Sequence, residues 1–420
     1  EIRTPLVDVD LFRALAPFLA AGEQTPGKQA MAQTPAKPLP DHIIHRPKTG
    51  FSVPVQQWTE AEGNAGHQRG LRGWAMRVYN DYESLKYQQR AQRKRVLALV
   101  PDAFGAGGGI AKFDRDLLTT ASTSPDVSSV VALTRMQPTS ANNLPLKMHY
   151  NMRGIGRDCH CISGKINYLR ELRHVLVDYK KIDLIICGLI GMVPLAWLVS
   201  RLKRAPFVCI IHGVDAWQPD HSHLVNWLIR RANAVIAVSE YTRQRFTKWS
   251  GMEASKVMLL PNCYDPVQYE PGPKPEYLLN RYGLQGKTVL MTLGRLSASE
   301  QYKGFDEILE ILPELAKEIS NIAYLIIGDG DDKARLQQKA GALDIVDRVI
   351  FTGYIPETEK ADHYRLADAY AMPGRGEGFG IVYLEAMACG IPTVGSKLDG
   401  SRDALRNGLL GLLADPTDLN

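Results

Sequence analysis

The rhythm of apolar and polar positions changes along the chain. Up to about residue 85 no strand-and-helix alternation repeats, and eight prolines stand between Pro5 and Pro54. From Arg95 onward, short β-branched runs alternate with helix-length stretches. Runs at 96–100, 130–133, 184–187, 207–211, 235–238 and 258–260 predict the strands of one sheet. Those at 289–293, 324–327, 349–352, 369–372 and 393–395 predict a second sheet, after a proline-rich bridge over 266–275. Strands separated by helices imply parallel sheets. Phe305, Ile308, Leu309, Leu312, Leu315, Ala316 and Ile319 fall on one face at helical spacing, so a helix is expected there, bent by Pro313. The most apolar window, 184–199, holds Gly188, Gly191 and Pro194. It reads as strand, turn and helix closed by Arg201, Lys203 and Arg204, rather than as a membrane span.

The expected fold class is therefore α/β: two Rossmann-like, doubly wound domains facing a cleft, behind a partial, mostly helical or irregular N-terminal extension. The divisions fall at 1–85, a basic linker over 86–93, 94–270 and 271–420. In open α/β sheets ligands lie beyond the carboxyl ends of the strands, so the chemistry should be sought at that cleft.

Composition narrows the classes. With 420 residues, 45% of them hydrophobic and 23% charged, the chain is neither disordered throughout nor a fibrous repeat. A net charge of +5 suits anionic ligands but lacks the dense basic stripe of a nucleic-acid binder, so no nucleic-acid partner is expected. Six cysteines are scattered, several within apolar runs, which fits buried thiols in a reducing cytoplasm. Cys159-His160-Cys161 is too tightly spaced for a zinc knuckle, and no metal is expected. No charged segment followed by an apolar run opens the sequence, so no signal peptide is expected. Arg201, Lys203, Arg204, Arg230 and Arg231 flank apolar helices and would suit peripheral contact with the cytoplasmic membrane; a solvated face is the preferred reading.

The densest chemistry lies between Gly376 and Pro392, where a glycine-rich turn runs into a helix. Glu377 and Glu385 are eight residues apart, about 12 Å if both lie on one helix, so that both could reach one elongated ligand. The N–H groups of Phe379 and Gly380, with Gly378 beside them, suit a diphosphate at a helix start. A sugar nucleotide meets these demands, one glutamate accepting from ribose hydroxyls and the other facing a hexose. Arg295 and Lys303, at the end of the second sheet's first strand and the start of its next helix, supply the cations a diphosphate needs without a metal. Gly107, Gly108 and Gly109 open the helix after the first strand and could close over the diphosphate from the opposite side. His212 follows a strand and should face the cleft, with Asp215 and Ser239 as neighbours of the acceptor path.

The run PGRGEGFGIVYLEAMACGIP, together with LGRLSASEQYKG, IIGDG and FTGY, resembles the retaining glycosyltransferases of family 4, which have the GT-B fold. The resemblance covers Lys94 to the end, with 94–270 as the acceptor-side domain and 271–420 as the nucleotide-sugar domain. It implies a hexosyltransferase whose partners are a nucleotide-sugar donor and a glycan or glycoconjugate acceptor, with no cofactor. It places Asp329, Gly353 and Tyr354 near the nucleotide base and His212 beside the transferred sugar. Arg295 and Lys303 contact the phosphates, and Glu377 orients the donor's hydroxyls. Retention by same-face attack is the implied course; a carboxylate nucleophile is the alternative.

The opening residues Glu1, Arg3 and Asp8, and LPDHIIHRPKTGFSVPVQQW with Arg46 and Lys48, resemble the C-terminal end of glutamine-dependent asparagine synthetases. The pyrophosphate loop and glutamine-cleaving domain of that family are not found, so amide synthesis by this chain alone is not expected. An amidotransferase fragment of a longer bifunctional protein and a non-catalytic sugar-nucleotide-binding scaffold stand as alternatives. The final residues resemble a point before the last helices of the GT-B fold, which bears on domain closure.

Overall fold

A computed structural model describes residues 93–104, 108–135, 148–150 and 162–418. The expected extension before residue 93, Gly107 and the Cys159–Cys161 segment lie outside the described residues.

The first sheet is parallel and seven-stranded. It comprises β1 (Lys94–Val100), β2 (Val127–Thr134), β3 (Met148–Tyr150), β4 (Leu184–Cys187), β5 (Phe207–Ile211), β6 (Ala234–Ala237) and β7 (Val257–Leu259), in the order β3-β2-β1-β4-β5-β6-β7. Val96 of β1 pairs with Val130 on one side and Leu184 on the other. Helices α1 (Gly109–Thr123), α2 (Ile162–Asp178), α3 (Val193–Lys203), α4 (His223–Ile229) and α5 (Glu240–Ser250) make the crossovers. The apolar window reads as expected: β4, a 3₁₀ turn, then α3, which starts at Val193-Pro194, where a missing N–H costs no helical bond.

After α6 (Glu276–Tyr282) the pattern recurs. β8 (Thr288–Leu293), α7 (Phe305–Glu318), β9 (Ile322–Ile327), α8 (Lys333–Ala342), β10 (Val349–Gly353), α9 (Lys360–Leu366), β11 (Ala369–Ala371), α10 (Ile381–Ala388), β12 (Thr393–Ser396), α11 (Ser401–Ala404) and β13 (Leu412–Ala414) follow one another. Their six parallel strands are ordered β10-β9-β8-β11-β12-β13. Every residue of β9 is buried, as a strand covered on both faces requires. One contiguous apolar cluster runs from Val96, Ala98 and Phe113 in the first domain to Val289, Met291 and Tyr370 in the second.

The strand order reverses between β1 and β4 and again between β8 and β11, so each domain has a switch point of the kind at which ligands bind. Two edge strands, β3 and β13, were not expected; each is three residues long, too short to show a period. Helix α7 continues through Pro313 and ends at Glu318, leaving Ile319 beyond it and 37% exposed rather than on the buried face.

Candidate functional site

The carboxyl ends of β5 and β8 and the loop after β11 carry most of the chemistry. His212 follows the last residue of β5. Its backbone N–H donates to Asp215 Oδ1 at 3.1 Å, and its ring Nε2 lies 2.9 Å from the Gly188 carbonyl at the end of β4. That carbonyl can only accept, so Nε2 carries the proton and Nδ1 keeps its lone pair. Phe113 of α1 meets the imidazole edge-on at 5.5 Å between ring centroids. Burial pushes the His212 pKa below its ordinary value, with the Asp215 charge opposing; burial likewise raises Asp215. Ser239 is buried and its hydroxyl accepts from Thr242 N at 3.0 Å, which makes it the N-cap of α5.

The second domain's loop approaches His212 through the backbone of Gly378. Gly378 packs so tightly on the His212 carbonyl that a Cβ there would overlap its oxygen, and Thr242 Oγ1 donates to the Gly378 carbonyl at 3.4 Å. Glu377, one residue earlier, is held on both sides: its N–H donates to Asp399 Oδ2 at 2.9 Å and its carbonyl accepts from Gly400 N at 2.8 Å. Burial pushes the Asp399 pKa up to about 6. Burial also raises Glu377, opposed by the charge of Lys303 and reinforced by that of Glu300; the N–H groups of Phe379 and Gly378 point to the Glu377 carboxylate.

The structure changes the expected relation between the two glutamates. Helix α10 begins only at Ile381, after Gly380 takes φ 84°, so Glu377 sits in the loop and the eight-residue spacing is not a rise along one helix. Glu385 is fully buried. Its carboxylate accepts from Lys360 Nζ at 3.0 Å and from Tyr364 OH at 2.9 Å. Phe379 is buried in the apolar cluster.

Arg295 and Lys303 are brought together, and what joins them is Glu300. Its carboxylate takes a salt bridge from Lys303 Nζ at 3.1 Å and a closer one from Arg295. Asp329 stands at the end of the adjacent strand: its carbonyl accepts from Leu296 N at 3.1 Å, and its carboxylate from Gly330 N at 3.0 Å. Gly353, at the end of β10, accepts from Gly328 N at 3.0 Å, and Tyr354 beside it is exposed. These strand ends therefore line one rim. Gly108 and Gly109 face open space, with nothing within 4 Å of a Cβ built on either, so they are not seen packed on the second domain.

Sequence reasoning missed Glu300, Asp399 and Tyr302, whose ring packs on Gly376 and whose carbonyl accepts from Arg375 N at 2.7 Å. Glu300 left a trace, since it lies three residues before Lys303. Asp399 left none.

Residues 280–420 match the family described as Glycosyl transferases group 1, and 130–268 match Glycosyltransferase Family 4. Residues 1–121 match Asparagine synthase, a match that runs past residue 85 over β1, a strand of the first sheet, and most of α1, the helix that follows it. A GDP-mannose-dependent alpha-(1-6)-phosphatidylinositol monomannoside mannosyltransferase of Mycolicibacterium smegmatis is 36% identical over 247 residues, 54% of this chain and 62% of that protein. A phosphatidyl-myo-inositol mannosyltransferase of Mycobacterium tuberculosis is 39% identical over 189 residues, 44% of this chain and 46% of its own. The chain thus spans less than two thirds of these relatives. Among solved structures, HepE of Anabaena in complex with UDP and glucose aligns with a TM-score of 0.61 at 22% identity, covering 78% of this chain and 87% of that one. Sucrose-phosphate synthase of Thermosynechococcus elongatus aligns at 0.63 and 19%, with the same coverage. At such identities the likeness is one of fold, the GT-B arrangement of two facing Rossmann-like domains.

Proposed function

We propose that this chain, whose residues 130–268 and 280–420 belong to the glycosyltransferase families, transfers a hexosyl unit from a nucleoside-diphosphate sugar to a hydroxyl of a glycan or glycoconjugate, with retention and without a metal ion. The observation that carries the reading is the meeting of Arg295 and Lys303 beside Glu377, whose neighbour Gly378 packs on the carbonyl of His212. Cations and acid follow β8 and β11, which flank the second sheet's switch point, and the imidazole follows β5 with its ring against the end of β4, an arrangement suited to transfer from an anionic leaving group.

In this reading Arg295 and Lys303 hold the diphosphate and Glu377 orients the donor's hydroxyls. His212, with Nδ1 free to accept, positions a hydroxyl of the sugar. The bond from the anomeric carbon to the phosphate oxygen breaks while a bond to the acceptor oxygen forms on the same face. The acceptor's proton passes to the departing phosphate oxygen, whose charge the two cations stabilise. No nucleophile on the protein is needed.

GDP-mannose, which the name of the Mycolicibacterium smegmatis relative carries, is the donor to test first, with UDP-glucose beside it. The purified chain is incubated with labelled donor and an acceptor panel, in buffer with and without EDTA, and the anomer of the product is read by NMR. Transfer with retained configuration, undiminished by EDTA, is expected. Nucleotide release with no transfer to any acceptor, or binding of ATP alone, would defeat the reading.

Among the described residues no helix is long and apolar enough to cross a membrane. Peripheral contact is supported by the outer faces of α3 and α4, where exposed Leu198, Leu202, Leu224 and Trp227 stand near exposed Arg201, Arg204 and Arg231. Flotation with anionic vesicles tests it; a chain that stays at the bottom of the gradient speaks against it.

A further inference from the structure

The cation pair assigned above to the donor's diphosphate already holds an anion. Glu300 lies in the 3₁₀ turn Ala298–Lys303, which departs from helical geometry at Glu300 itself, with φ −122° and ψ 31°. Among the described residues its carboxylate has no hydrogen-bond or ion-pair partner other than Arg295 and Lys303. Its side chain is 14% exposed, while that of Arg295 is 69% exposed. The turn is anchored through its neighbours: Ala298 N donates to Asp331 Oδ1 at 2.9 Å and Gln301 Nε2 to Asp332 Oδ1 at 3.1 Å. Neither bond depends on the Glu300 carboxylate.

We propose that Glu300 is an internal stand-in for the diphosphate, occupying Arg295 and Lys303 while the cleft is empty and yielding them when a nucleoside diphosphate arrives. The proposal rests on the reading that these two cations receive the donor. Carboxylate and phosphate oxygens compete for the same charged N–H groups, both can engage an Arg fork, and a diphosphate brings more negative charge than one carboxylate. With Glu300 in place, both cations face its carboxylate and Lys303 also acts on the nearby Glu377, a local balance that gives an incoming polyanion little net attraction. Displacement of Glu300 uncovers both positive charges. A tethered competitor of this kind lowers donor affinity, and by retaking the cations after transfer it speeds departure of the product nucleotide.

A different role for the same contacts, pre-aligning the two cations, would have the opposite consequence. Removing Glu300 would then weaken nucleotide binding, so one measurement separates the two.

The test compares the wild-type chain with Glu300→Gln and Glu300→Asp. Binding of GDP, UDP and inorganic pyrophosphate is measured by calorimetry at low and moderate salt, with unfolding curves confirming that all three proteins are folded. Glu300→Gln is expected to bind the nucleoside diphosphates and pyrophosphate about three- to tenfold more tightly, with a steeper salt dependence, and to release product more slowly. Glu300→Asp, which keeps the charge, should stay nearer the wild type. Wild-type binding that is unchanged or weakened in Glu300→Gln overturns the stand-in role while leaving the donor site intact. If neither the folded wild type nor either variant binds any of the three probes, the assignment of Arg295 and Lys303 to the diphosphate falls, and the stand-in role with it.

Discussion

Gly378 lies against the carbonyl of His212 with no room for a side chain: a Cβ on Gly378 would overlap that oxygen and stand 3.0 Å from the Cα of Gly213. A loop of the second domain and a strand end of the first are thereby joined backbone to backbone. Gly378→Ala must push them apart, and overpacking of this kind costs about 1–3 kcal/mol. A lower unfolding temperature is expected. Transfer should fall further than nucleoside-diphosphate binding, because Arg295 and Lys303 stand on a different loop. Paired calorimetric and transfer assays decide; full activity in a folded Gly378→Ala protein would show that the contact is dispensable.

His212 gives a pH prediction. Its ring proton is committed to the Gly188 carbonyl at 2.9 Å, and burial favours the neutral ring, holding the pKa below the usual 6.5. The form with a free Nδ1 lone pair therefore persists to lower pH than an exposed histidine would allow. Transfer should be level from about pH 8 to 7 and fall only below the ordinary histidine range. His212→Ala should cut kcat on the order of a hundredfold, with donor binding nearly unchanged. Equal losses in binding and turnover would place the imidazole outside the reacting region.

Lys360 and Tyr364 satisfy the fully buried carboxylate of Glu385. Truncating Lys360 to Met leaves that charge without its counter-ion, a change that costs on the order of 3–5 kcal/mol. Tyr364→Phe removes one hydrogen bond and costs about 1–3 kcal/mol. Denaturant unfolding of the two variants should show that ranking. Glu385→Ala is expected to lower the melting temperature in its own right, so a loss of ligand-induced stabilisation in that variant needs a direct binding measurement beside it. Two variants as stable as the wild type would mean that Glu385 is not held in this way.

The parts of this architecture that could be read from residues alone are those in which local pattern and tertiary environment agree. The run at β9 is six buried residues long and can be little else than a covered strand. β3 and β13, three residues each at sheet edges, have no period to detect. The glycines around Glu377 were recognisable as a close-approach turn, but Gly378 answers to a carbonyl of the other domain, a partner 166 positions away that no local spacing reveals. The paired glutamates mislead for a related reason: spacing alone does not disclose that Gly380 at φ 84° starts the helix late. Arg295 and Lys303 stood out as two cations between the second sheet's first strand and the helix that follows it. Glu300 between them resembled an ordinary charged turn until its two partners were seen together.

Asp114 on α1 makes the sharpest stability prediction. Its side chain is fully buried, neither carboxylate oxygen has a hydrogen-bond partner, and burial with a further push from Asp102 raises its pKa to about 8. In the unfolded chain the group titrates near 3.8, so the folded protein binds this proton more tightly than the unfolded one does. The resulting contribution to stability is fully present below about pH 4 and is lost progressively as pH rises through 8. Asp114→Asn keeps the shape and cannot ionise. Relative to that variant, the wild type should lose stability steadily between about pH 4 and 8 and then level off, by on the order of a few kcal/mol in total. Urea unfolding of both proteins at several pH values across that range measures the difference, in which the other titrating groups cancel. Parallel stability curves would show that the carboxyl finds a partner or solvent in solution.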